Sequence, residues 1–292
     1  MHITIWIVLA AATALTPLVL FAFMGNRCVT MQRSLPVSRQ LLLPASFAIP
    51  YLLVCGPLHQ LRLSWLLVYV VLPIAVAALL ALAAKCDPQQ RGHLLDFLVL
   101  VPLGLAVDLR WLEPAWPHGL VALNKLILLN AGIYGFHVMR QLSGVGFDLH
   151  LRRADWQVGL RELLFYMPIA ISLGLAIGFL HWHGHVSHPW QLPFLWIFTL
   201  FLIALPEEIF FRGWMQNLLE RRLGRIPALA VTAILFGLSH FNKRAVHFNW
   251  RYVLLASIAG IFYGRAWRSE RRIAASSITH ACVDTIWGAL LR

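Results

Sequence analysis

Apolar residues fall in long runs along this chain, separated by short segments rich in arginine, proline and glycine. The runs predict helices at roughly 3–24, 41–56, 64–84, 94–108, 119–138, 160–180, 192–217, 226–241, 252–268 and 273–290. About 20 apolar residues at a rise of about 1.5 Å each cross the hydrocarbon core of a bilayer. Most of the runs approach that length, while 41–56 and 94–108 are short and read equally as tilted or re-entrant segments. A lipid-spanning chain must satisfy its own backbone, so the pattern predicts an all-α, polytopic transmembrane bundle of about eight to ten spans.

The polar segments between runs carry the topology. Arg27, Arg33 and Arg39 follow the first run, and Arg140, Arg152, Arg153 and Arg161 surround the sixth run's entry. Arg221, Arg222 and Arg225 follow the seventh, and Arg265, Arg268, Arg271 and Arg272 the ninth. With alternating spans these loops share one face, expected to be cytoplasmic. The segment 242–251, with Lys243, Arg244 and Arg251, falls on the other face and breaks the rule. Trp111, Trp116, Trp182, Trp190 and Trp250 near run ends read as interfacial belt residues. A polar connector at Leu142–Trp156 divides the chain into 1–141, a bundle for anchoring or substrate shaping, and 142–292. Ala256, Gly260 and Gly264 form a small-residue stripe of the kind that permits close helix packing.

Composition agrees with this class: 60% of residues are hydrophobic and 12% charged. The formal net charge of +12 resides in short loops, so it is read as topology, and a nucleic-acid partner is excluded. Cys28, Cys55, Cys86 and Cys282 have no paired spacing, which argues against a disulfide framework or a cysteine metal site. The first run lacks a preceding basic region and is expected to be a retained helix, not a cleaved signal.

Against this background the charges inside the last four runs stand out. Glu207, Glu208 and Arg212 lie in the seventh run, Phe236 and His240 in the eighth, and His280 and Asp284 in the tenth. A charge at the centre of a membrane helix costs about 2.5–3.5 kcal/mol on insertion scales. The i,i+4 spacing puts Glu208 and Arg212 on one helix face as a potential pair, with Glu207 about 100° round the helix. Counting from the nearest basic loop, all of these groups lie roughly 12–22 Å from the same membrane face. Antiparallel helices thus bring them into one layer. Pro206 lacks a backbone N–H and predicts a kink just before the glutamates.

A carboxylate in such a layer can act as general base towards a water, and imidazoles can stabilise an oxyanion. No serine, threonine or cysteine accompanies them as an obvious nucleophile, so water attack on an amide is the simplest reaction. The pattern Glu207-Glu208-x-x-x-Arg212, Phe236-x-x-x-His240, His280-x-x-x-Asp284 resembles the three motifs of the CAAX-processing and bacteriocin-processing family of intramembrane proteases, which includes the type II CAAX prenyl endopeptidases. The resemblance covers roughly 145–292. It implies a glutamate-dependent endopeptidase without a cofactor, acting on a membrane-associated protein or peptide within the lipid bilayer. By that mapping Glu207 and His240 activate water, Glu208 and Arg212 support the site or bind substrate backbone, and His280 with Asp284 forms the oxyanion pocket. The last position is often Asn in the family; an ionised Asp cannot donate to an oxyanion, so Asp284 is either protonated or orients His280. In a eukaryote the implied substrate is a prenylated CAAX protein. In a bacterium it is a processed peptide, or the partner is one in protein sorting, at the plasma membrane.

Other readings coexist at this stage. Glu208 and Arg212 also fit a structural ion pair, and the whole cluster fits a non-enzymatic transporter, immunity or scaffold factor. Two histidines and several carboxylates fit zinc, although no HExxH helix is present. His181, His183, His185 and His188 form a histidine-rich loop of the kind that sometimes binds metal.

Overall fold

A computed structural model describes residues 3–182, 188–243 and 247–291, and every long element among them is a helix. The chain divides into two compact units, Met1–Ser143 and Gly144–Arg292.

The first unit contains α1 (Ile5–Arg33), α2 (Val37–Cys55), α3 (Leu63–Cys86), α4 (Leu94–Asp108) and α5 (Ala122–Ile133). A π-helical turn, Tyr134–Met139, extends α5. Helix α1 packs on α2 and α5, and α3 packs on α2, α4 and α5. Two polar clusters hold this unit. Arg140 is 1% exposed and reaches Asp87 and Asp96, each at 2.7 Å. Trp116 donates its indole N–H to the Tyr69 hydroxyl at 2.6 Å, and Tyr69 donates to Asn124 at 3.0 Å. Trp116 is therefore a core residue, 7% exposed, and not the interfacial belt residue that its position near a run end suggests. A buried indole needs an acceptor, and Tyr69 supplies one that the linear pattern cannot reveal.

The second unit contains α6 (Arg153–Ala176), α7 (Pro189–Leu223), α8 (Arg225–Leu238), α9 (Trp250–Glu270) and α10 (Ile273–Leu290). Helix α9 packs against α6, α8 and α10, and α10 also packs against α6 and α7. Among the described residues five helices, α1, α2, α3, α6 and α7, are each long and apolar enough to cross a membrane. Helix α8 is apolar but has 14 residues, and α4 has 15. Helices α9 and α10 have 21 and 18 residues; α9 carries Arg251, Arg265 and Arg268, and α10 carries His280 and Asp284 of the buried cluster described below. The fold is that of an all-helical, integral membrane bundle.

Backbone contacts fix α10 against the rest of its unit. The connector before α6 turns at Gly146 with φ +74°, and a methyl there would strike the Arg271 carbonyl. The Gly146 carbonyl accepts from the Ile273 N–H at 2.9 Å, and Trp267 donates its indole N–H to Val145 at 2.9 Å. Arg272, where α10 begins, reaches Asp155 at 2.7 Å and Asp148 at 2.9 Å. Further along, Gly159 lets α6 approach α10 so closely that Thr279 donates to its carbonyl at 3.0 Å. These ties set the depth and rotation of α10, and hence of His280.

Helix α7 continues through Pro206. It widens into π-helical turns on either side, at Leu200–Ala204 and Ile209–Gln216, with Leu205–Glu208 in ordinary α geometry. A proline removes one rung of the i→i−4 ladder and crowds the preceding turn. Wide turns of this kind commonly mark functional positions in helices. The break expected at Pro206 thus takes the form of a change in turn width around the two glutamates.

Candidate functional site

The residues singled out above gather in the second unit where α7, α8 and α10 meet. Glu208 is fully buried. One of its oxygens accepts from Arg212 Nε at 3.0 Å and the other from His280 Nδ1 at 2.9 Å. Glu207, the preceding residue, points elsewhere. Its Oε2 lies 3.9 Å from His280 Nε2, its Oε1 lies 3.8 Å from Lys243 Nζ, and its side chain is 26% exposed. Asp284 lies one turn along α10, with Oδ2 at 3.5 Å from the same His280 Nε2 and 28% of its side chain exposed.

The protonation pattern follows from these partners. An ionised Glu208 can only accept, so His280 carries a proton on Nδ1 and turns Nε2 towards Glu207 and Asp284. His240 is arranged in the same sense. Its Nδ1 lies 2.8 Å from the Phe236 carbonyl, which can only accept, so Nδ1 holds the proton and Nε2 offers a lone pair. Both imidazoles are thus anchored by one nitrogen and expose the other.

Charge balance bears on His280. Glu207, Glu208 and Asp284 bring three carboxylates, and Arg212 and Lys243 bring two cations. An imidazolium at His280 closes the balance, which matters in a medium where an uncompensated charge is costly. Tyr263 lies flat against that ring, with centroids 4.6 Å apart and planes 15° apart. A ring face of this kind favours a neighbouring cation.

Phe236 packs at the centre of the cluster. Its ring lies 5.0 Å from His240 and 5.6 Å from His280, with the Arg212 guanidinium 5.1 Å from its centroid. An apolar cavity of about 60 Å³ adjoins the cluster. His240, His280 and Asp284 form its polar end, and Tyr166, Ala256, Leu255 and Trp287 are among its apolar walls. Ala256, from the small-residue stripe, therefore lines a space as well as permitting packing.

Sequence reasoning overlooked three contributors. Tyr263 sits on α9, which carries none of the motifs. Tyr252, also on α9, places its ring 4.7 Å from His240. Lys243 was legible only as a charge on the wrong face of the membrane; its nearness to Glu207 gives that charge a partner. Among the described residues, no group of three or more histidines, cysteines or carboxylates has the geometry to hold a metal. His181 and His188 are exposed, and His183 and His185 lie outside the described residues. The four cysteines are unbridged.

Residues 189–286 match the family model described as type II CAAX prenyl endopeptidase Rce1-like. The matched stretch starts with α7 and ends two residues past Asp284, so it takes in Glu207, Glu208, Arg212, His240, His280 and Asp284. No curated protein and no solved structure matches the chain significantly.

Proposed function

With an Rce1-like peptidase domain over residues 189–286 as the premise, we propose that this chain is a multi-pass intramembrane endopeptidase. It hydrolyses a peptide bond of a membrane-associated protein or peptide by means of water activated by Glu207. The observation that carries this reading is the division of labour between adjacent glutamates. Glu208 is committed to Arg212 and His280, whereas Glu207 is about a quarter exposed as a side chain and holds its Oε2 3.9 Å from His280 Nε2.

The reaction assigns a task to each group. Water sits between the Glu207 carboxylate and His240 Nε2, and Glu207 takes its proton as the water oxygen attacks the scissile carbonyl carbon. His280 offers Nε2–H to the resulting oxyanion. Glu208 holds the opposite nitrogen of that ring, and Arg212 keeps Glu208 ionised. Asp284 orients His280 from the cavity side. As the tetrahedral intermediate collapses, the C–N bond breaks and Glu207 returns its proton to the leaving nitrogen, which balances the hydrolysis. The apolar cavity of about 60 Å³ beside His240 and Asp284 is large enough for a few water molecules or a single side chain.

The test is cleavage of a validated substrate by purified protein in detergent or liposomes. Loss of a positioned general base typically costs about 10²–10⁴-fold in rate. Glu207→Ala and His240→Ala are each expected to lose that much, and parental rates in both would sink the mechanism. Prolonged exposure of the parent to a chelator is expected to leave the rate unchanged; a loss restored by zinc would move the reading to metal-assisted hydrolysis. Comparing protein termini between cells that make the parent and cells that make Glu207→Ala identifies the natural substrate.

A further inference from the structure

A buried polar file runs from the site towards the basic end of α7, and the reaction above uses only its first two members. Glu208, Arg212, Gln216 and Glu220 recur every four residues. The first three are fully buried, and the Glu220 side chain is 4% exposed. The file is bonded at both ends. Arg212 donates to Glu208 at 3.0 Å, and Gln216 Nε2 donates to Glu220 at 3.1 Å and to the Gly264 carbonyl at 3.4 Å. Glu220 in turn holds Arg268 at 2.8 Å and Arg271 at 2.6 Å.

The middle of the file is open. Arg212 Nη1 and Nη2 are buried with no hydrogen-bond partner, and so is Gln216 Oε1. The orientation of the Gln216 amide is fixed, because both partners of Nε2 are acceptors; Oε1 must turn the other way. Gly264 makes room for it, since a Cβ there would come within 2.5 Å of Oε1. The guanidinium carbon lies over the Phe236, Phe211 and Tyr263 rings, 5.1–6.0 Å from their centroids.

A third group joins them from α10. Ser277 is fully buried and its hydroxyl has no partner. Gly213 backs onto Ile273, and Glu208 bonds to His280, so α10 runs antiparallel to α7 here. Ser277 lies four residues after Ile273 and three before His280 on the same helix face. That register sets it opposite the stretch of α7 that includes Arg212. Two unused donor nitrogens and one unused acceptor thus occupy successive turns of α7, with one hydroxyl able to play either part on the helix that faces them. Groups of this kind are costly to leave dry and cheap to satisfy with water.

We propose that Arg212, Gln216 and Ser277 form an internal water site. One or two water molecules accept from Arg212 Nη1 or Nη2 and donate to Gln216 Oε1 and Ser277 Oγ. The file is then hydrogen-bonded from Glu208 to Glu220, which locks the guanidinium that holds Glu208 and, through Glu208, the ring of His280. Gln216 and Ser277 are positioning residues in this arrangement, and the i,i+4 recurrence along α7 has a use beyond the single pair at its start.

The test is a crystal structure of the full chain at a resolution that shows ordered solvent, with Ser277→Ala and Gln216→Met alongside the parent. The parent is expected to show a solvent peak within hydrogen-bond distance of an Arg212 Nη and Gln216 Oε1. Ser277→Ala is expected to shift or weaken that peak and Gln216→Met to abolish it. No peak, a direct Arg212–Gln216 bond, or a halide in place of water each overturns the proposal. This readout does not depend on whether the chain cleaves peptides, so its failure is separate from failure of the peptidase reading. A second readout rests on that reading. Loss of one bridging hydrogen bond is expected to lower kcat about tenfold in Gln216→Met with KM unchanged. A parental kcat in that variant overturns the positioning role.

Discussion

Glu207 and Glu208 are neighbours in the chain with opposite circumstances, and the difference defines what each can do. Burial is tolerable for Glu208 because Arg212 and His280 occupy both of its oxygens. Removing one member of a buried pair typically costs about 3–5 kcal/mol, whereas replacing both with neutral groups costs much less. Arg212→Ala is accordingly expected to destabilise the protein by about that amount in detergent unfolding, and Glu208→Gln with Arg212→Met by clearly less. Equal losses would mean that the pair is not the unit. Asp284 offers a second prediction at this scale. Its contact with His280 requires only an acceptor, which an asparagine amide also provides. Asp284→Asn is expected to keep kcat within about tenfold of the parent. Asp284→Leu, which lacks the acceptor, is expected to lose about 10- to 150-fold, the rate equivalent of a charged hydrogen bond. A large loss of similar size in both variants would show that Asp284 works as an acid. The i,i+4 rule made the Glu208–Arg212 pair legible in the sequence. The bond from Glu208 to His280 was not legible, since 72 residues separate them and the register between two helices leaves no mark on either one.

At the scale of elements, the position of His280 depends on how α10 begins. Arg272 binds Asp148 and Asp155, and Gly146 passes under Arg271 in a conformation that only glycine adopts readily. Burial by itself raises the Asp148 carboxyl, but the His150 N–H and the Arg272 guanidinium outweigh it and hold it at about 2. An unfolded carboxylate titrates near about 4, so between about 2 and 4 the unfolded chain binds more protons than the folded one. The stabilisation from Asp148 is therefore complete above that window and is lost as pH falls through it. Asp148→Asn is expected to flatten the acid side of the stability curve, measured by melting across that range, and to leave the pH dependence near neutrality unchanged. A curve parallel to the parent's would assign the acid sensitivity to other carboxylates. The polar connector was visible as an interruption of the apolar pattern. Its role as a clamp was not, because the clamp is made by contacts more than 100 residues apart in sequence. Pro206 likewise marked a disturbed helix, but the composition of a helix does not specify whether the strain emerges as a bend or as wider turns.

For the whole molecule, the class of fold was the most legible feature, because membrane burial imposes apolar runs of fixed length on any sequence. The runs showed less well which helices span unaided. Helices α9 and α10 have spanning length, yet α9 carries Arg251, Arg265 and Arg268, and α10 carries Ser277, His280 and Asp284, so the site lowers the apolar content of α10. Trp116 and Lys243 were each read by position along the chain when a partner elsewhere decided the setting. Topology within the second unit gives the prediction at this scale. Lys243 lies at the end of α8 opposite from Arg225, and Arg222 lies beside Arg225. In a background free of the four native cysteines, single cysteines at Arg222 and Arg271 are expected to react with an impermeant thiol reagent from one face of a sealed vesicle. A cysteine at Lys243 is expected to react from the other face. The positive-inside rule makes the first face cytoplasmic, and the pairing of Lys243 with Glu207 accounts for one of the three basic residues on the opposite side. Reaction of all three positions from a single face would show that α8 enters the membrane without crossing it. Glu207 would then open to the cytoplasmic side, and substrate would reach it from there.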